Sequence, residues 1–228
     1  MKTFEFHTTK SITVERGAAA RLAERLRDLA YKSVMIVTDA GVLQTGLLEP
    51  TLSNFAELGI AVSVFSEVVA DPPEAVIQQG IYAAQQQQAD CIIGFGGGSS
   101  MDAAKLIALL CHSEQALCDV YGVNAAIGQR LPLVLIPTTA GTGSEVTAIA
   151  IVTTGENEKK GVVSPLLLPD LALLDAELTL GLPSHVTAAT GIDAMVHAIE
   201  AFTSKRLKNP ISDSLAKDAL RLLSANIH

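Results

Sequence analysis

Hydrophobic and polar positions alternate along the chain in blocks, and the blocks set the reading. Ser33-Val-Met-Ile-Val-Thr38 and Cys91 to Gly94 with Phe95 are unbroken apolar runs, of the kind a parallel sheet buries on both faces. Leu131 to Ile136 and Leu171 to Leu174 read the same way, and Ile60 to Phe65 supplies a further strand. Between them the period changes. Leu22, Leu26 and Leu29 recur at helical spacing within Ala18 to Leu29. Further helices are predicted over Val42 to Leu58, ended by Gly59, from Asp71-Pro72-Pro73 to about Gln87, and from Met101 to Cys111. Phe4 to Thr9 and Ser11 to Glu15 are expected to form a short hairpin at an edge. Strand and helix in turn predict an α/β fold with helices on both faces of a parallel sheet.

Past Pro183 the strands stop. Ser184 to Phe202 and Ile211 to Leu223 both carry helical patterns, so residues 1–183 are expected to form one α/β domain and residues 184–228 the beginning of a helical one.

Chemistry collects where strands end. The stretch Gly-Gly-Gly-Ser-Ser-Met-Asp (96–102) joins a buried strand to a helix, with Ser99 or Ser100 at the predicted N-cap. Glycines there let backbone N–H groups approach a phosphate, which the helix dipole also favours. The dinucleotide fingerprint G-x-G-x-x-G is absent, so the pattern is of another kind, and a ligand-free tight turn is the competing reading. A second polar loop, Pro137-Thr-Thr-Ala-Gly-Thr-Gly-Ser-Glu145, leaves the next strand at the same sheet edge, with Thr138, Thr139, Thr142 and Ser144 offering hydroxyls. Asp39 ends an earlier strand, where a carboxylate either accepts from a ribose 2′-hydroxyl or caps the next helix. From Val146 to Thr153 apolar residues alternate, which sets Ile149 and Ile151 on one face. Those two isoleucines line a pocket or simply face a core.

In the first late helix, Asp193 and His197 stand four apart and project from one face, as two ligands of a single ion or as a surface pair. Apolar neighbours Ile192, Val196 and Ile199 suggest that much of this helix is buried. Carboxylate plus imidazole suits Fe²⁺ or Zn²⁺, and either metal needs more than two ligands. Glu200 either orients the imidazole or is solvated.

Composition narrows the partners. With 228 residues and 49% apolar content the chain can bury a large core, and its net charge of −8 argues against nucleic acid and anionic membrane. No apolar run approaches a membrane span and the N-terminus lacks a signal-peptide core, so a cytoplasmic protein is expected. Cys91, Cys111 and Cys118 form no C-x-x-C pair and are expected to be small buried apolar groups in a reducing compartment.

The three motifs Gly96 to Asp102, Pro137 to Glu145 and Gly191-Ile-Asp-Ala-Met-Val-His-Ala-Ile-Glu200, in that order, resemble the iron-containing, group III alcohol dehydrogenases. The resemblance implies a dehydroquinate synthase-like fold, with NAD(P) and a divalent metal between an α/β domain and an all-helical domain. It implies that Gly97, Gly98 and Ser99 hold the pyrophosphate, that Thr138, Thr139 and Thr142 contact the cofactor, and that Asp39 reads the adenosine ribose, favouring NAD over NADP. Asp102 matches the motif as a cofactor contact or a complement to the helix dipole. Asp193 and His197 become two of four ligands of iron, with zinc the alternative; the other two are histidines further along the helical domain, and the chain is read as truncated before them. The activity implied is hydride transfer between NAD and a small primary alcohol or its aldehyde, in a homodimer or higher homo-oligomer. A related polyol dehydrogenase and a dinucleotide-binding fragment without catalysis are the alternatives.

Overall fold

The structure is a computed structural model, and it describes residues 3–27, 31–155 and 158–227. In chain order the elements are β1 (Ile12–Val14), α1 (Leu22–Arg27), β2 (Ser33–Asp39), α2 (Ala40–Gln44), α3 (Glu49–Glu57), β3 (Ala61–Val68), α4 (Glu74–Gln86), β4 (Cys91–Gly96) and α5 (Gly98–Leu110). They continue with β5 (Gly122–Val123), β6 (Leu133–Pro137), β7 (Ile149–Thr154), β8 (Glu158–Val163), β9 (Leu171–Leu174), α6 (Ser184–Thr203) and α7 (Pro210–Asn226). Six strands form a parallel sheet in the order β1-β9-β6-β4-β2-β3, and β5-β8-β7 make a small second sheet.

The unbroken apolar runs are explained by two cores, one on each side of the sheet. Met35, Val37, Ile92, Leu133 and Leu135 pack beneath α4 and α5, while Val34, Ile36, Ile93, Phe95, Val134 and Ile136 face α1 and α3. Successive residues of one strand therefore serve opposite layers, which leaves no place for polar alternation. The order in which strands are added reverses at β2 and β4: β3 lies on one side of β2, and β4, β6 and β9 lie on the other. At such a switch point the strand ends diverge and leave a crevice.

Three expectations are corrected, and one falls outside the described residues. No N-terminal hairpin forms: Phe4 to Thr9 holds no strand, and β1 pairs in parallel with β9, a contact about 160 residues away that local pattern does not encode. The helix expected over Val42 to Leu58 is two, because Gly46 at φ +73° breaks it. Leu29, the expected end of the first helix, lies outside the described residues. Cys91 and Cys111 are buried as expected, but Cys118 is exposed. Among the described residues no helix is long and apolar enough to cross a membrane.

Candidate active site

The α5 helix begins earlier than the serines suggest. Gly97 is its N-cap, with no side-chain cap, so Ser99 and Ser100 lie inside the first turn and the leading N–H groups stay open to a ligand. Gly96, at φ +151°, makes the turn possible, since a Cβ there would stand 2.7 Å from Ser100 Oγ. The helix lies close to the sheet for a similar reason: a Cβ on Gly94 would meet Ala104 Cβ at 2.8 Å.

Two cavities meet at this helix start. One, of about 430 Å³, opens at the switch point and is lined by Asp39, Gly97, Gly98, Ser99 and Ser100, with Val68 to Ala70 across from them. Asp39 performs the capping role, its Oδ1 accepting from Val42 N at 2.9 Å, while Oδ2 accepts from Ser100 Oγ at 3.3 Å. A carboxylate oxygen has two lone pairs, so each can accept one further hydrogen bond.

The other cavity, of about 780 Å³, is lined by Gly98, Ser99, Asp102, Thr142, Asp193 and His197, together with Ile149 and Ile151. Six candidates from three separate motifs thus share one wall. Ile149 and Ile151 are 42% and 37% exposed and face it, while Ala150 and Val152 between and beyond them are fully buried, as the alternation predicts. Asp71 and Lys159 form an ion pair of 2.7 Å at its rim, and Ser99 Oγ accepts from Asp71 N at 3.3 Å.

The threonine loop closes onto the glycine loop. A Cβ on Gly98 would meet Thr142 Cγ2 at 2.8 Å, and one on Gly97 would reach Thr139 Oγ1 at 3.7 Å. Thr138 is buried, its N–H donating to Gly96 O at 2.9 Å, and neither Thr138 nor Thr139 lines the two cavities. Gly141 does for α6 what Gly94 does for α5, because a Cβ there would stand 2.9 Å from Thr190 O. That close approach seats α6 one turn before Asp193.

Asp193 and His197 face the cavity with Oδ1 and Nε2 3.7 Å apart, each about half exposed. Among the described residues no group of three or more His, Cys, Asp or Glu side chains could hold an ion, so this pair is a half-site. As donors, one carboxylate and one imidazole on successive helical turns fit iron or zinc. Two neighbouring expectations fail. Ile192, Val196 and Ile199 are 53%, 45% and 48% exposed rather than buried, because α6 buries only Gly191 and Ala198 in this chain. Glu200 is exposed, and no hydrogen bond or ion pair links it to His197 among the described residues.

Sequence reasoning missed Lys105. Its side chain is fully buried behind the cavity, with Nζ donating to Ile149 O at 2.7 Å and Ser144 Oγ at 2.8 Å, and standing 3.4 Å from Asp102 Oδ1. Burial lowers its pKa and Asp102 opposes that shift; burial raises that of nearby Glu145, which its own backbone N–H and Lys105 oppose. A signal existed, since Lys105 interrupts an otherwise apolar run, Ala103 to Leu110.

A switch-point crevice with an uncapped helix start, flanked by a hydroxyl loop and by a helix bearing metal-type donors, defines a doubly wound α/β protein with a helical extension. Comparison with known sequences narrows this. The profile described as "Iron-containing alcohol dehydrogenase" matches residues 9–176, and "Fe-containing alcohol dehydrogenase family, C-terminal" matches 187–228. The chain belongs to the iron-containing alcohol dehydrogenase family. It is 40% identical over 225 residues to sulfoacetaldehyde reductase of Bilophila wadsworthia, covering 98% of this chain and 58% of that protein. It is 36% identical over 220 residues to the NAD-dependent methanol dehydrogenase of Bacillus methanolicus, covering 96% and 58%. A crystal structure of 1,3-propanediol oxidoreductase superposes with a TM-score of 0.94 at 34% identity, over 99% of this chain and 59% of the other. The chain therefore spans a little under three fifths of the length of these relatives.

Proposed function

We propose that the protein is an NAD-linked, metal-dependent alcohol dehydrogenase and aldehyde reductase acting on a small alcohol. One observation carries the reading: the open start of α5 and the Asp193–His197 pair line the same cavity of about 780 Å³. Cofactor and metal would then meet where a substrate fits.

In this reading the N–H groups of Gly97, Gly98 and Ser99, aided by the helix dipole, bind the pyrophosphate. Thr142 closes over it, with Thr138 and Thr139 shaping the loop from behind. Asp39 accepts from the adenosine ribose and repels a 2′-phosphate, which favours NAD. Asp193 and His197 are two ligands of Fe²⁺, with Zn²⁺ admitted by the same donors. When bound, the nicotinamide supplies the hydride acceptor and the metal supplies Lewis acidity at the alcohol oxygen. Ile149 and Ile151 keep water from the reacting carbon and favour an apolar substrate. The chain divides at Pro183 into an α/β cofactor domain and the start of a helical metal domain, and the protein works in the cytoplasm.

The NAD-dependent methanol dehydrogenase among the relatives supports the choice of cofactor. The test is NADH oxidation with a panel of short aldehydes, with and without added Fe²⁺. Metal-stimulated turnover by the wild type, lost in Asp193→Ala while NADH binding persists, is the expected result. If Asp193→Ala loses NADH affinity as well, the separation of metal and cofactor roles is wrong.

A further inference from the structure

One cation at the mouth of the 780 Å³ cavity has no part in the reading above. Lys159 on β8 and Asp71 after β3 both line the cavity and pair at 2.7 Å, with side chains 56% and 61% exposed. Lys159 is the only lysine or arginine among the lining residues. Asp71 is the fixed partner: its backbone sits at φ +51° ahead of two prolines, its N–H donates to Ser99 Oγ at 3.3 Å, and Pro72 O accepts from Thr153 N at 3.0 Å. Lysine, by contrast, carries a compact charge on a flexible stem. The wall beside it is apolar. Antiparallel pairing sets Lys159 opposite Thr153, Gly161 opposite Ile151 and Val163 opposite Ile149, so alternation puts Lys159 on the cavity face with both isoleucines. Gly161 places no side chain between them, and Lys159 joins β8 about 7 Å, two residues along the strand, from the level of Ile151. The other two carboxylates lining the cavity have partners of their own: Asp102 faces Lys105 Nζ at 3.4 Å, and Asp193 lies 3.7 Å from His197. Among the described residues only Asp71 pairs with Lys159.

We propose that Lys159 binds an anionic group, a carboxylate or sulfonate, at the far end of a short aldehyde or alcohol whose oxygen lies at the Asp193–His197 wall. The inference rests on the dehydrogenase reading above and narrows its substrate class. An ion pair as exposed as Asp71–Lys159 contributes little to stability, so exchanging Asp71 for a substrate anion costs little. Ile149 and Ile151 then take the carbon chain, and the ammonium takes its end. A neutral aldehyde of the same length gains the apolar contact without the charge.

The test is reduction by NADH of 4-oxobutanoate and of butanal, aldehydes of equal length with and without the anionic end. Wild type, Lys159→Met, Lys159→Arg and Asp71→Asn are compared with Fe²⁺ supplied, and NADH is titrated into each. The wild type should prefer 4-oxobutanoate by about tenfold in kcat/KM. Lys159→Met should lower that ratio about tenfold, through a higher KM for 4-oxobutanoate, and Lys159→Arg should keep it within about threefold of wild type. Asp71→Asn should raise the ratio about threefold, because the ammonium loses its competing partner. A wild type that turns over both aldehydes without preference overturns the proposal and leaves the dehydrogenase reading standing. So does a ratio unchanged in Lys159→Met. A loss of NADH affinity in Lys159→Met as large as its loss with 4-oxobutanoate would assign the lysine to the cofactor and overturn the proposal as well. A wild type that reduces neither aldehyde removes the dehydrogenase reading itself, and this proposal with it.

Discussion

Two glycines three residues apart separate what holds the helix from what it binds. At Gly94 a methyl would lie 2.8 Å from Ala104 Cβ, 3.2 Å from Met101 Cα and 2.7 Å from Leu135 Cδ2. Only the leucine end can swing away. The other two belong to α5, which would have to retreat by roughly 0.7 Å to restore normal carbon contact near 3.5 Å. Overpacking of that size costs about 1 to 3 kcal/mol, partly offset by the roughly 0.4 to 1 kcal/mol that alanine gains by restricting the unfolded chain. Gly94→Ala should therefore lose about 1 to 2 kcal/mol, a melting shift of about 2 to 8 °C at this size. Gly97 is the control. Its φ of −78° and ψ of −172° suit any residue, and a methyl would meet nothing nearer than Thr139 Oγ1 at 3.7 Å. Gly97→Ala should keep or slightly raise stability, yet weaken NADH about tenfold by filling the approach to the backbone N–H groups. Urea unfolding and NADH titration of both variants make the assay. Unchanged stability in Gly94→Ala would refute the packing argument, and full NADH affinity in Gly97→Ala would refute the phosphate cradle.

Other variants probe the surrounding contacts. Gly141→Ala pushes a methyl against Thr190 O and should shift α6, lowering turnover several-fold while NADH affinity stays near wild type; a parallel loss of both would show that the loop, not the helix, had moved. Asp39→Gly should raise NADP use relative to NAD and, since glycine also caps, cost only a few tenths of a kcal/mol; an unchanged cofactor ratio would remove Asp39 from the ribose. Asp170 governs part of the acid limb: burial works to raise its pKa, but hydrogen bonds from Arg130, Lys10 and Leu133 N outweigh it and hold it at about 2. A carboxyl depressed in the folded state stabilises above its unfolded pKa and loses that contribution as pH falls from about 4 toward 2. Asp170→Asn should thus lose about 1 kcal/mol at neutral pH, after allowance for partial exposure, and nothing near pH 2; an equal loss at both pH values in denaturant titrations would contradict it.

The main sheet was legible because strands buried on both faces need unbroken apolar runs, and each of β2, β4, β6 and β9 has one. Polar loops at their carboxyl ends were legible for the same reason, and six of the named candidates do share a cavity. The second sheet was not. Strand β8 opens with Glu158-Lys-Lys and β5 has two residues, so neither shows a period, and their pairing joins segments some 40 residues apart. Nor could the pattern reveal what Lys105 holds, because three of its four partners, Ser144, Thr147 and Ile149, come from one distant stretch that meets α5 only in the fold. The apolar neighbours on α6 misled, because Ile192, Val196 and Ile199 were expected to be buried and are about half exposed.

The most direct test of the account is aldehyde-dependent NADH oxidation by the protein purified from its natural source, with Fe²⁺ supplied, in wild type and in Asp193→Ala. The account predicts turnover in the wild type and, in the variant, retained NADH binding with turnover lost. Metal-independent turnover that survives Asp193→Ala would contradict the claim that the cavity between α5 and α6 joins cofactor to metal.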